Sequence, residues 1–98
     1  MKIKILKENN KFQSVIFQGH ANSKIVCAAI SAILISHLNC ILAFDENAIE
    51  YKEEKDLVTV NFIKDNSYLS VIIKNLMRMI KEMQEEYPKD ILIEENNM

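Results

Sequence analysis

The chain has 98 residues, of which 49% are hydrophobic and 27% are charged, with a formal net charge of −2. This length and composition suit a globular protein with one hydrophobic core, and we predict a single domain over residues 1–98. The slightly acidic balance argues against direct nucleic-acid binding, which usually needs a stripe of lysines and arginines to neutralise phosphates.

Two segments at the start of the chain have the pattern of β-strands. Lysine and isoleucine alternate over residues 2–5, which predicts a strand with one buried face. Residues 12–18 are rich in Val, Ile and Phe and predict the hairpin partner of the first strand. Residues 8–11 contain two asparagines, which favour a turn between the strands, and Gly19 ends the second strand.

The longest apolar run, residues 25–44, predicts a helix that begins at Lys24 or Ile25 and ends near Ala43, with Asn22 or Ser23 as its N-cap. The run is long enough to span a bilayer. It contains serine, histidine and asparagine, however, and predicted strands flank it, so we favour a helix buried against a sheet and expect no membrane partner. Because this helix is apolar on nearly every face, we expect it to lie between the sheet and a further surface, such as a second subunit.

The second half of the chain repeats this order of elements. Residues 48–52 and 57–63 predict a hairpin around residues 53–56, and residues 65–67 offer cap residues for a helix over 68–86. Apolar residues at spacings of three and four predict the buried stripe of that helix: Leu69, Ile72, Leu76, Met79 and Met83.

Residues 91–93 predict an optional last strand. The order ββαββα(β) indicates an α+β fold, with a mainly antiparallel sheet and two helices packed on one face.

The two cysteines, Cys27 and Cys40, lie 13 residues apart in the first predicted helix. At about 100° per residue this spacing places them on roughly opposite faces, so they cannot form a disulfide with each other. The chain opens on a strand pattern rather than on a signal peptide, which favours a cytoplasmic location and two free thiols.

The candidate catalytic residues lie around the one glycine of the chain. Gly19 directly precedes His20, and Cys27 follows in the first turn or so of the predicted helix. A helix start favours a thiolate, and the short connection can bring the imidazole toward the sulfur. Such a pair can attack an amide carbonyl, with His20 as base and Cys27 as nucleophile, and we expect the backbone N–H groups of Cys27 and Ala28 to stabilise the oxyanion.

The residues alone leave other interpretations open. Cys27 also suits a small buried hydrophobe, and His20 an ordinary loop residue. His37 and Cys40 share a helix face, but two such residues without a third ligand make a weak metal site. Ser31, one turn after Cys27, suits a hydrogen bond to a thiolate or a substrate, although the carbonyl four residues back is its usual partner.

The chain resembles the ribosomal-processing cysteine proteases, called Prp. The resemblance depends on the Gly-His-Ala motif at residues 19–21 and the Ile-Val-Cys-Ala-Ala-Ile-Ser-Ala motif at residues 25–32. It implies a bacterial, homodimeric cysteine endopeptidase that uses no metal or cofactor. Its substrate would be the N-terminal extension of a large-subunit ribosomal protein. His20 matches the base of the family, Cys27 its nucleophile, and Ser31 a serine common in the motif.

The chain departs from the family pattern in two places. Family members usually carry a longer loop with glycine between the histidine and the cysteine, where this chain has only residues 21–26. They also usually carry an acidic residue three positions before the cysteine, where this chain has Lys24. Two alternatives therefore stay open: a non-catalytic relative that binds the ribosomal-protein peptide, and a small dimeric interaction module.

Overall fold

A computed structural model describes residues 1–97 and contains five strands and two helices in the predicted order. The elements are β1 (Lys2–Glu8), β2 (Lys11–Gln18), α1 (Lys24–Phe44), β3 (Ile49–Glu54), β4 (Leu57–Phe62), α2 (Ser67–Glu86) and β5 (Leu92–Asn97). The optional last strand is therefore present. The β3–β4 turn is shorter than predicted, because β3 extends to Glu54 and leaves Lys55 and Asp56 as the turn.

The strands form one sheet in the order β3-β4-β2-β1-β5. Every neighbouring pair is antiparallel except β1 and β5, which are parallel because α2 returns the chain across the sheet before β5. The β1–β2 turn contains Asn9 and Asn10, both with positive φ (53° and 63°), as asparagine tolerates.

One face of the sheet forms one side of the core. Ile3 and Ile5 of β1 stand opposite Phe17 and Val15 of β2, and Val15 also pairs with Val60 of β4. Each of these side chains is at most 6% exposed. Alternation along each strand therefore directs the apolar residues to the side that the helices cover.

Both helices add one apolar stripe to this core, as expected. The buried residues of α1 recur every three or four positions: Val26, Ile30, Leu34, Leu38 and Ile41. By length and composition α1 is apolar enough to cross a membrane, but this stripe is buried in the core.

The predicted stripe of α2 is partly wrong. The buried residues are Leu69, Ile73, Leu76, Met77 and Ile80. The predicted Ile72, Met79 and Met83 are only half-buried. The apolar arc of α2 is wider than its buried stripe, and Ile72 faces the groove between α2 and α1.

Candidate active site

Gly19 ends β2 in a backbone conformation that favours glycine. Its φ is +74°, and a Cβ added there would meet nothing within 4 Å, so the conformation rather than lack of space explains the glycine. The Gly19 N–H donates to the carbonyl oxygen of Asp56 at 2.9 Å. This bond continues the β2–β4 ladder beyond the Gln18–Leu57 pair and places residues 19 and 20 beside the β3–β4 turn.

His20 contacts a carboxylate across this junction. Its Nε2 atom lies at hydrogen-bond distance from Oδ1 of Asp56, and the two side chains are 70% and 51% exposed. Asp56 was not among the residues predicted from the sequence. It lies 36 positions from His20, and no motif links the two.

Cys27 is the fourth residue of α1, and the helix start is capped as predicted. Ser23 is the N-cap, and its Oγ accepts from the Val26 N–H at 3.3 Å. The Ser23 carbonyl accepts from the Cys27 N–H at 3.1 Å. The predicted oxyanion donors are therefore wrong: the Cys27 N–H is already bonded, and Ala28 lies further inside the helix, where N–H groups bond the carbonyl four residues back.

The thiol of Cys27 contacts the residue that follows His20. The Ala21 N–H donates to Sγ at 3.1 Å, and Sγ lies 3.6 Å from the Ala21 carbonyl oxygen. The short connection thus folds the backbone of Ala21 back onto the sulfur. Within residues 1–97, the hydrogen bonds of the His20 imidazole and the Cys27 thiol go to Asp56 and Ala21 rather than to each other.

Two contacts from other parts of the chain hold this connection in place. The amino group of Met1 donates to the carbonyl oxygens of His20 (3.0 Å) and Asp90 (2.9 Å). The carboxylate of Asp90 accepts from the Asn22 N–H at 3.1 Å. The segment between β2 and α1 is therefore tied to the start of β1 and to the turn before β5.

His20 and Cys27 both line a pocket of about 170 Å³ between the sheet, the start of α1 and the β3–β4 hairpin. The lining includes the apolar residues Phe17, Ile30, Leu34, Leu57 and Val58 and the acidic residues Glu53, Glu54 and Asp56. The pocket is therefore mixed in character, with apolar and acidic groups close together.

Ser31 lines this pocket, and Tyr51 contacts Glu53 of its lining. Tyr51 donates from its hydroxyl to Oε2 of Glu53 at 3.3 Å, and burial, together with the charge of Glu53, raises the pKa of Tyr51. Ser31 lines the pocket one turn after Cys27. Among the described residues its hydroxyl makes no bond to the Cys27 carbonyl, whereas Ser36 does bond the carbonyl of Ile33 (3.0 Å).

The structure does not support the weak metal interpretation of His37. Its Nδ1 lies 2.7 Å from the Ile33 carbonyl oxygen and its Nε2 lies 2.8 Å from Nδ2 of Asn75. Both ring nitrogens are therefore occupied, and the ring joins α1 to α2. No group of three or more His, Cys, Asp or Glu residues suited to a metal occurs in the described part of the chain. Cys27 and Cys40 are free thiols, as predicted.

Most of the chain matches a known protein family. The model of the family described as cysteine protease Prp matches residues 1–92. The chain belongs to the Prp family of cysteine proteases. A search of curated proteins finds no match.

Solved structures agree with the Prp fold. The ribosomal processing protease Prp from S. aureus, in complex with a covalently linked product peptide, superposes with a TM-score of 0.88 at 22% identity, covering 97% of this chain and 98% of that one. The same protease with a substrate peptide gives 0.87 at 19% identity, with the same coverage. A protein from Streptococcus mutans gives 0.82 at 16% identity, covering 99% of this chain and 94% of that one. These likenesses extend the Prp fold over nearly the whole chain.

Proposed function

We propose that this protein is an endopeptidase that removes the N-terminal extension of a large-subunit ribosomal protein, with Cys27 as nucleophile and His20 as base. The observation that carries the proposal is the contact of Ala21 with the Cys27 sulfur, because it brings the residue next to His20 onto the thiol within a Prp-family fold. Both side chains then face one pocket at the surface.

The reaction follows from these positions. His20 takes the thiol proton, and the Cys27 thiolate attacks the carbonyl carbon of the scissile peptide bond to form a tetrahedral oxyanion. The imidazolium then gives its proton to the leaving amine as the C–N bond breaks, which leaves a thioester. Water activated by His20 hydrolyses the thioester and restores the thiol.

Another donor replaces the expected oxyanion hole at Cys27 and Ala28. The Ala21 N–H lies 3.1 Å from Sγ, and the carbonyl carbon of the substrate bonds to that same sulfur. This N–H is therefore suited to the developing oxyanion.

The substrate assignment uses the relatives and the pocket together. The S. aureus ribosomal processing protease binds substrate and product peptides. In this chain the apolar residues of the pocket, together with Glu53 and Glu54, fit a peptide that has both apolar and basic side chains. Ribosomal proteins are basic because they bind RNA. A ribosomal substrate in turn implies a cytoplasmic enzyme, and the S. aureus relatives favour a bacterial one.

We propose further that the protein is a homodimer whose second copy covers the outer side of α1 and α2. Large apolar side chains remain exposed there, namely Ile35 (52%), Phe44 (62%), Tyr68 (68%) and Val71 (68%). An apolar groove of about 420 Å³ runs between the helices, and none of its lining residues is charged. A two-fold contact pairs such a surface with itself, since no charged side chain there would repel its copy.

The activity test uses the full extended ribosomal protein, or its N-terminal peptide, as substrate. We expect the wild type to cut it at one bond, with Cys27→Ala lowering kcat/KM by about 10⁴-fold or more, because no nucleophile remains. The matched control is Cys40→Ala, which removes the other thiol of the chain and should cleave normally. Mass spectrometry of the products measures both.

Two other results would contradict the proposal. Tight binding of the peptide without turnover would identify a non-catalytic relative. A chain that neither binds nor cuts the peptide would favour the plain dimeric interaction module.

The dimer is tested by sedimentation equilibrium of Val71→Glu, which places a charge in the apolar groove. We expect a monomer, and a dimer that persists at the same affinity would contradict this interface.

A further inference from the structure

We propose that Asp56 is the positioning residue of His20: its carboxylate holds Nε2 of the ring and thereby presents Nδ1 to Cys27. This inference depends on the proposed function, because it assigns a role to His20 as base. Asp56 acts through the imidazole, because its carboxylate contacts Nε2 of His20.

A backbone hydrogen bond supports the contact between the Asp56 carboxylate and His20. The Asp56 carbonyl accepts from the Gly19 N–H at 2.9 Å, so the main chains of residues 19 and 56 are joined directly. His20 directly follows Gly19, and its side chain contacts the side chain of the same Asp56. The backbone bond between Gly19 and Asp56 therefore fixes the main chain on both sides of the contact between His20 and Asp56. A positioning role requires such support.

The atoms in contact determine the tautomer of the ring. An ionised carboxylate accepts hydrogen bonds and cannot donate them, and Asp56 is half exposed, so it faces water as well as the ring. Its partner Nε2 must therefore carry a proton. In the neutral imidazole, Nδ1 is then the nitrogen with a free lone pair, and it is the atom that accepts the thiol proton.

The backbone conformation of Asp56 also bears on the role of its side chain. Its φ is +60°, in the left-handed region that glycine adopts at no steric cost. A turn selected for its conformation alone would favour glycine at this position. The connection over residues 21–26 also contains no Asp or Glu, and Lys24 occupies it instead. Asp56 is thus the carboxylate that the described structure brings to the imidazole.

The test compares Asp56→Gly with Asp56→Asn. Both residues tolerate positive φ, so both variants should fold with a Tm equal to or above that of the wild type. We expect Asp56→Gly to lower kcat by about 10²-fold with little change in KM, because the base loses its orientation. Asp56→Asn should lose less, because its amide oxygen still accepts from Nε2–H. If Asp56 only shapes the turn, both variants keep kcat within about twofold of the wild type, and the inference is overturned.

A spectroscopic measurement separates this inference from the proposed function. In ¹⁵N-histidine-labelled wild type, NMR should show His20 in the Nε2–H tautomer, and Asp56→Gly should shift it towards a mixture. His37 provides the internal reference, since its contacts with Ile33 and Asn75 favour the opposite tautomer. An unchanged His20 tautomer in Asp56→Gly overturns the inference even if the wild type cleaves the peptide. An Asp56-dependent tautomer in a protein that cuts no peptide overturns the proposed function instead.

Discussion

The two helices of this protein begin with the same pattern of capping hydrogen bonds. Only α1, however, has a cysteine in its first turn and a histidine in the segment before it. In α1 the N-cap Ser23 accepts from Val26 through its side chain and from Cys27 through its carbonyl. In α2 the N-cap Asn66 accepts in the same way from Leu69 (3.0 Å) and Ser70 (2.9 Å). Cys27 and Ser70 are therefore equivalent positions.

The segments before the two helices make the difference. Before α2, Lys64 and Asp65 form surface ion pairs with Asp45 (2.7 Å) and Lys11 (2.8 Å). Before α1, the chain instead carries His20 and folds Ala21 onto the sulfur. A helix start by itself is thus an ordinary structural feature, and in the proposed mechanism the preceding segment supplies the base.

After loss of the nucleophile itself, the largest expected effect comes from removing the histidine. His20→Ala should lower kcat/KM by about 10³-fold, since no base remains, while the Tm stays near that of the wild type because the ring is 70% exposed. His37→Ala is the matched control: it should lower the Tm, because the α1–α2 bridge is lost, and leave kcat unchanged. Equal activity of the two variants would remove His20 from the mechanism.

The two caps provide a smaller and more specific test. Ser23→Ala and Asn66→Ala should each lower the free energy of unfolding by about 1 kcal/mol, because each removes one capping acceptor. Only Ser23→Ala should also lower kcat, because Ser23 fixes the start of the helix turn that carries Cys27. Urea unfolding and steady-state kinetics measure the two effects. A matching loss of kcat in both variants would show that activity merely follows stability.

The smallest expected effect lies at the other end of α1. The Lys64 ammonium, together with the Asn47 N–H, holds the pKa of Asp45 below its ordinary value of 3.8. The ionised carboxylate therefore contributes stability above that value, and the contribution is lost as pH falls through the lowered pKa. Asp45→Asn should unfold at slightly lower urea concentration than wild type at pH 7, with the difference narrowing below pH 4. A difference that stays constant with pH would exclude this cause.

The sequence predicts what lies close together along the chain. Ser23 as a possible cap and the two hairpins all involve short separations, for which local propensity and loop length are sufficient. The stripe of α2 was less predictable, because apolar residues extend beyond its buried face and packing against α1 decides which of them are covered.

The contact of Asp56 with His20 lies beyond local prediction for a different reason. It depends on the register that pairs Gln18 with Leu57, which the alternation of apolar residues in β2 and β4 restricts but does not determine. The oxyanion donors were mispredicted for a geometric reason. The cap makes Cys27 the fourth residue of α1 and uses its N–H within the helix.

The most direct test of the account is to identify the atom that becomes acylated. Wild-type protein mixed with the extended ribosomal peptide and quenched in acid within the first turnover should carry a thioester adduct, located by peptide mass spectrometry. The account predicts that the adduct maps to the peptide containing Cys27 and that Cys40 stays unmodified. An adduct on Cys40, or cleavage by Cys27→Ala at the wild-type rate, would contradict it.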